Sequence, residues 1–228
     1  YIPDILKFKT DALVLGVFEK TEKFEGLVSQ LDNIFQNKIS NLYSENEIRG
    51  KIGEVTIIHN FVDFSAKRLV VVGLGKREEF DSDVVRKVSA LVLNRLSGIS
   101  LKQISISMLG SDLIGIFNSA KSITEGAVLG LYRFEKYKSN PRGISINGVD
   151  LIGFGIENEA QVKDAVSQGE IVAEAVNLCR DLSNEPSNKM TPSILADIAT
   201  DIALEGGFES EVYEEEDMIN FGMGALLG

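Results

Sequence analysis

The sequence holds one cysteine, Cys179, one histidine, His59, no tryptophan and four prolines among its 228 residues. Each scarcity removes a class of function. A single thiol cannot build an internal disulfide framework, which fits a reducing compartment. One His and one Cys cannot supply a His-rich or Cys-rich zinc site. A Ser-His-Asp triad would have to use His59, and no nucleophile elbow is present. No apolar run approaches the roughly 18 to 20 residues that span a membrane. The N-terminal Tyr1-Ile-Pro-Asp lacks the basic and apolar regions of a signal peptide, and its first residue is not Met, so we expect residues upstream and a cytoplasmic protein.

Basic residues are scarce in one part only. Residues 151–228 carry 3 Lys and Arg against 16 Asp and Glu, whereas residues 1–150 carry 20 against 18. A change this sharp marks a boundary near residue 150. It also argues against nucleic-acid binding by the C-terminal part, because phosphate binding needs clustered Lys and Arg.

What is present is an ordinary globular composition, 44% hydrophobic and 25% charged, with no repeat and no low-complexity tract. The apolar run Asp11–Phe18 reads as a buried strand. Phe24, Leu27, Val28, Leu31, Ile34 and Phe35 recur at helical spacing. Gly50–Gly53 reads as a turn, and Val55–His59 and Leu69–Leu74 as two more strands. Asp81 or Ser82 caps a helix whose apolar face carries Val84, Val85, Val88, Leu91, Val92 and Leu96. Ile104–Leu109 is a strand, Leu113–Tyr132 a helical region with Gly115, Gly126 and Gly130 as weak points, Arg133–Gly148 a loop, and Val149–Phe154 a fifth strand. Strands alternating with helices predict an α/β sheet covered on both faces.

From residue 160 to 182 the pattern is helical, giving a rod of about 33 Å. It has to end before Pro186. Thr191-Pro192 starts another helix, faced by Leu195, Ile198, Ala199, Ile202 and Ala203 and stopped at Gly206-Gly207. Phe208–Tyr213 reads as strand-like, Glu214–Asn220 as a short acidic helix, and Gly222–Gly228 as the start of a strand.

Several features invite a chemical reading. Gly73-Leu-Gly-Lys76 follows a strand, but a dinucleotide fingerprint needs Gly at 78 and a P-loop needs Gly at 70 and Ser or Thr at 77. Those positions hold Glu78, Val70 and Arg77, so a tight turn is the better reading. Cys179 lies on the apolar side of the long helix and is expected to be buried and inert. Glu214-Glu-Glu-Asp217 cannot converge on one ion, because consecutive helical residues point in different directions, and it suits a helix N-terminus. Arg180, Asp181, Asn184, Glu185, Asn188 and Lys189 form the densest polar cluster. We read it as a joint that satisfies backbone groups freed at two helix ends.

At this joint the sequence resembles a known family. Asn177-Leu-Cys-Arg-Asp-Leu-Ser-Asn-Glu-Pro-Ser-Asn-Lys-Met-Thr-Pro192, followed by Leu195-Ala196 and Gly222-Met-Gly-Ala-Leu-Leu-Gly228, resembles the cytosol (leucyl) aminopeptidases. Arg180, Asp181, Leu182, Asn184, Glu185, Pro186 and Asn188 match that family's motif. Upstream, Gly53-Glu54, Val70–Lys76, Glu125-Gly126, Leu129, Tyr132, Arg133, Phe134 and Tyr137-Lys138 look like its N-terminal domain.

The resemblance implies an N-terminal macro-domain-like α/β domain with a mixed sheet flanked by helices over residues 1–157. It implies a linker helix over 158–186 and the first elements of a second α/β domain, the catalytic one, over 187–228. It also implies a cytoplasmic enzyme, generally a homo-hexamer, that releases N-terminal amino acids from peptides. Two divalent metals, zinc or manganese, polarise the scissile carbonyl and supply hydroxide. The family's metal-binding and catalytic residues lie in motifs after the segment matched by 222–228. No catalytic, cofactor-binding or metal-binding residue is therefore carried over, and the chain alone is expected to be inactive. Membrane and nucleic-acid partners are not expected. The competing reading is a binding module for ADP-ribose or another nucleotide at the strand ends, or an oligomerisation domain.

Overall fold

The run Ala12–Val17 forms strand β1, and every residue of it except Gly16 is buried. A strand with no polar alternation has to be covered on both faces, and this one is. A computed structural model of the protein describes residues 9–59, 64, 66–141, 143–153 and 155–228. The N-terminal stretch Tyr1–Asp4 and Phe154, both read in the sequence, lie outside the described residues.

Four more strands join β1: β2 (Val55–Ile58), β3 (Arg68–Gly73), β4 (Gln103–Ser107) and β5 (Gly148–Ile152). The sheet order is β2-β3-β1-β4-β5. β1 pairs in parallel with β3, Leu13 facing Leu69, and with β4, Ala12 facing Ile104. β5 is parallel to β4, and β2 is antiparallel to β3, so the sheet is mixed. The alternation of side chains sends Ala12, Val14, Val70, Val72, Ile104 and Ile106 into one core and Leu13, Leu15, Val17, Leu69 and Val71 into another.

The first core is closed by α3 (Ser82–Ser97) and α5 (Ile116–Leu131), the second by α1 (Gly26–Ile34) and α2 (Lys38–Ser44). Asp81 caps α3, its carboxylate accepting the Val84 N–H at 2.9 Å. A short helix α4 (Ser111–Ile114) precedes α5 and ends at Gly115, whose φ of 82° only glycine adopts freely.

Gly126 and Gly130 do not weaken α5. They are its contact points with α3. A Cβ at 126 would stand 2.3 Å from the Arg86 carbonyl oxygen, and one at 130 would stand 2.5 Å from the Ala90 Cα. Beside them Arg86 Nε donates to the buried Glu125 carboxylate at 2.6 Å. Burial alone would hold the Arg86 guanidinium's pKa down, but the Glu125 and Asp83 carboxylates raise it, so it stays charged.

Helix α2 has no counterpart in the sequence reading. It is short and buries only Ile39. The buried Asp32 of α1 holds it from outside, accepting the N–H groups of Ile39 at 2.8 Å and Ser40 at 3.1 Å.

The chain divides into two units, Tyr1–Asn177 and Leu178–Gly228. Helix α6 (Glu159–Asn184) begins in the first unit, where Val162 and Ala165 pack with Met108 and Ala120. The second unit contains the end of α6, then α7 (Pro192–Gly206), α8 (Glu215–Asn220) and α9 (Gly224–Leu227). Two segments expected to be strands are not. Residues 208–213 have no regular structure, and Gly224–Leu227 is helical. A strand needs a neighbour to satisfy its backbone, and no strand lies among residues 178–228.

The start of β1 is tied to β4 by a carboxylate. Asp11 accepts the N–H groups of Lys102 at 2.7 Å and Gln103 at 3.2 Å, and the Lys67 ammonium at 2.6 Å. The Lys67 hydrogen bond, then that of Lys102, lowers its pKa from 3.8 to about 2. A carboxylate depressed on folding stabilises the protein above its unfolded pKa, and that stability is lost as pH falls towards the folded value. We predict that chemical unfolding followed from pH 5 to pH 2 loses on the order of 2 kcal/mol through this group. Asp11→Asn should flatten that part of the profile while lowering stability at pH 7.

Candidate functional site

Parallel strands leave a crevice at their carboxyl ends, and here β1 lies between β3 and β4, where ligands bind in open α/β sheets. The crevice measures about 790 Å³ and is bordered by Gly16–Val28, Leu74, Lys76–Glu78, Gly110–Asp112 and Gly153. Its chemistry does not select an anion. Four cationic and five acidic side chains border it. Two of the cations are also engaged: Lys76 pairs with Glu79 at 2.7 Å, and Arg77 pairs with Asp112 while lying 5.3 Å over the Phe18 ring. Phe18 packs edge-on against Phe80. Tyr43 fixes the loop after β1, its hydroxyl donating to the Phe18 carbonyl at 3.0 Å and accepting the Thr21 N–H at 2.9 Å.

The turn Gly73–Lys76 opens onto this crevice, and a phosphate loop there would need free backbone N–H groups. Those of Gly73, Leu74 and Gly75 are already committed. Gly73 donates to the Glu54 carbonyl at 2.8 Å, Leu74 to Val17 at 2.8 Å and Gly75 to Gly50 at 2.8 Å. In return the carbonyl of Gly73 accepts from Gly53 at 3.0 Å and that of Gly75 from Glu19 at 2.9 Å. The turn is a latch between the end of β3, the end of β1 and the Gly50–Gly53 turn. Gly73 serves close backbone approach and Gly75 a left-handed φ of 78°, as the tight-turn reading expects. Glu54 completes the latch. Burial opposes its charge, but the Arg49 N–H and guanidinium lower its pKa overall.

The remaining candidates are dispersed. His59 is exposed, and its carbonyl, not its ring, accepts from Lys38 Nζ at 3.4 Å. Cys179 is exposed, which corrects the expectation of a buried thiol. On α6 only Val162, Ala165, Gly169 and Ala173 are buried, so the apolar stripe beyond Ala173 has no covering layer among the described residues. Glu214 is the N-cap of α8, its N–H donating to the Asp217 carboxylate at 3.1 Å, so the acidic run serves a helix start. Among the described residues no three His, Cys, Asp or Glu side chains are grouped to hold a metal ion, and no helix is long and apolar enough to cross a membrane.

After α6 the chain turns before the next helix. The Pro186 carbonyl accepts the N–H groups of Lys189 at 2.8 Å and Met190 at 2.9 Å, closing a turn. Thr191 then caps α7, its hydroxyl accepting the Ile194 N–H at 3.4 Å, with Pro192 in the first helical position.

Comparison with known proteins places both parts. Residues 14–141 match the N-terminal domain of the cytosol aminopeptidase family, and residues 177–228 match its catalytic domain. The probable cytosol aminopeptidase of Sulfurihydrogenibium sp. (strain YO3AOP1) is 32% identical over 219 residues, 96% of this chain and 44% of that protein. That of Solibacter usitatus (strain Ellin6076) is 34% identical over 222 residues, 97% of this chain and 43% of that protein. The chain thus spans less than half the length of these relatives. Among solved structures, a mutant tomato leucine aminopeptidase superposes with a TM-score of 0.73 at 24% identity, covering 89% of this chain and 41% of that one. The bottromycin maturation enzyme BotP in complex with Mn gives 0.68 at 23% identity, covering 93% and 40%. At these identities the structures show the fold alone.

If the latch is what closes the end of β3, it tolerates no side chain at its tightest point. A Cβ at Gly73 would stand 1.9 Å from the Lys51 carbonyl oxygen, a backbone atom that cannot swing away. Gly73→Ala should destabilise the first unit by about 3 kcal/mol or prevent its folding, as read by urea titration, whereas Gly98→Ala, at a φ of −80° and with the nearest atom 4.0 Å from the added Cβ, should not.

The five-stranded mixed sheet, the α6 helix and its Arg180–Asn188 joint, and the two matched domains together assign this chain to the cytosol aminopeptidase family, of which it carries the N-terminal domain and the start of the catalytic domain.

Proposed function

We propose that the protein to which this chain belongs is a metal-dependent leucyl aminopeptidase, releasing N-terminal amino acids from peptides, and that residues 1–228 alone do not catalyse the reaction. The single observation that carries this reading is the match of residues 177–228 to the catalytic domain, beginning at the joint motif Arg180–Asn188. The division we propose is an N-terminal macro-like domain over 1–157, a linker helix over 158–186 and the beginning of the peptidase domain over 187–228.

The reaction needs two divalent ions, zinc or manganese, and the complex of BotP with Mn is in keeping with manganese. The described residues do not fit such a centre, since no three candidate ligands are grouped among them. No catalytic step is therefore assigned to a residue of this chain, and no metal or catalytic group is placed on it. The contribution of the chain is a frame: a stable sheet domain, and a helix leading to a capped joint from which the catalytic domain begins. The name of the relatives supports a cytoplasmic location. We further propose a homo-hexamer for the whole protein, with the N-terminal domain placing its subunits.

The test is hydrolysis of leucine p-nitroanilide in the presence of Mn²⁺ or Zn²⁺. The purified 228-residue chain should show no turnover, and the product of the complete reading frame should show metal-dependent turnover that chelation abolishes. Turnover by the 228-residue chain would overturn the first part, and an inactive complete protein would overturn the second.

A further inference from the structure

Three strand ends meet at the crevice, and the segment after each supplies one side chain to a single cluster. Phe18 follows β1, Arg77 follows β3, and Asp112 lies in α4 after β4. The Arg77 guanidinium lies over the Phe18 ring and pairs with the Asp112 carboxylate. An ion pair therefore bridges the segments after β3 and β4 across the end of the central strand. Every residue bordering the crevice belongs to the first unit.

This pair is cheap to open. Its side chains are 52% and 54% exposed, and ion pairs so exposed contribute only about 0–1 kcal/mol. A ligand can separate the partners at little cost, provided that it returns both charges. A carboxylate alone would satisfy Arg77 through the forked guanidinium but leave Asp112 unpaired beside it. An ammonium alone would satisfy Asp112 and leave Arg77. The rest of the border enforces the same choice. Three lysines and four glutamates stand around the crevice besides this pair, so a ligand of either net charge gains little from the surrounding field.

The border is also partly apolar. Phe18, Phe24, Leu27 and Val28, all half-buried, line an opening of about 790 Å³, far larger than a simple ion needs. Tyr43 holds this wall in place. Its hydroxyl bonds the backbone of Phe18 and Thr21, and its ring packs edge-on against Phe24 with centroids 5.4 Å apart. A wall fixed in advance costs less ordering when a ligand binds.

We propose that this crevice binds a zwitterion with an apolar side chain, a free amino acid or a short peptide. Its carboxylate pairs with Arg77, its ammonium with Asp112, and its side chain packs on the wall of Phe18 and Phe24. The choice of leucine as probe rests on the aminopeptidase reading, in which peptides are substrates and amino acids products. The selection for paired charges rests on the crevice itself.

The test is calorimetry on the 228-residue chain with leucine, leucyl-leucine, leucinamide, which lacks the carboxylate, and 4-methylpentanoate, which lacks the ammonium. In slightly acidic buffer both single-charge analogues are ionised. Leucine or leucyl-leucine should bind about tenfold or more tightly than either analogue. The tighter of the two identifies the ligand as a free amino acid or a peptide. Arg77→Gln should erase the preference over leucinamide, and Asp112→Asn the preference over 4-methylpentanoate, each with about a tenfold loss of zwitterion affinity. Thermal melting of the sheet unit should not change, because both side chains are exposed. A pair with a structural role only would not exchange ligand preferences in this way. No heat with either zwitterion, equal binding of the analogues, or preferences indifferent to the two variants would each overturn the inference. Turnover is not measured in this experiment. An active complete protein whose crevice binds no zwitterion sinks this inference alone, and an inactive one whose crevice does bind sinks the aminopeptidase reading alone.

Discussion

Everything ordered in the first unit depends on β1 lying between β3 and β4. The strand is parallel to both, and its side chains alternate into two separate cores. Burial of each such side chain contributes roughly 1.5–3 kcal/mol, and neither core closes without the central strand. The two ends of β1 are held differently. At its start the Asp11 carboxylate accepts the N–H groups of Lys102 and Gln103, where β4 begins, and the Lys67 ammonium. At its end the Val17 carbonyl accepts from Leu74 in the latch that closes β3. One end is electrostatic and sensitive to acid, the other is a backbone fit that only glycine allows.

The latch also decides what the crevice can be. A glycine-rich turn after a parallel strand is the usual place for phosphate, because free N–H groups point outward there. In this protein the N–H groups of Gly73, Leu74 and Gly75 are spent on holding three segments of chain together. The crevice that remains is bordered by nearly balanced charges, with its arginine, Arg77, paired to Asp112 and stacked on Phe18. Nothing in that arrangement favours a nucleotide. The family assignment accordingly comes from the other end of the chain, where the joint after α6 carries the motif.

Much of this was legible in the sequence. All five strands overlap runs read as strands; β1 and β3 are legible as continuous apolar segments and β4 by its alternation. Asp81, Thr191 and Pro192 announced their helix starts by residue type alone. What was not legible depends on partners distant in sequence. Helix α2 is held by Asp32 from the preceding helix, a bond that no local pattern reveals. Gly126 and Gly130 looked like weak points and proved to be the contacts of α5 with α3, since a missing Cβ reads the same in either role. Phe208–Tyr213 carries a strand-like pattern but has no strand beside it, and Cys179 sits on an apolar stripe with no covering layer among the described residues. The candidate site was legible as a family motif, not as chemistry: the joint residues point to the family that the match of residues 177–228 shows.

The central claim is that the chain joins a self-supporting sheet domain to a piece of catalytic domain that has no core of its own. Limited proteolysis with chymotrypsin, followed by mass spectrometry, tests it most directly. Early cleavage is expected at Leu204, Phe208, Tyr213 and Phe221, all exposed, while β1, β3 and β4 stay intact in a fragment that still melts cooperatively. Cleavage within those strands at the same rate as in residues 192–227, or equal resistance of both regions, would contradict it.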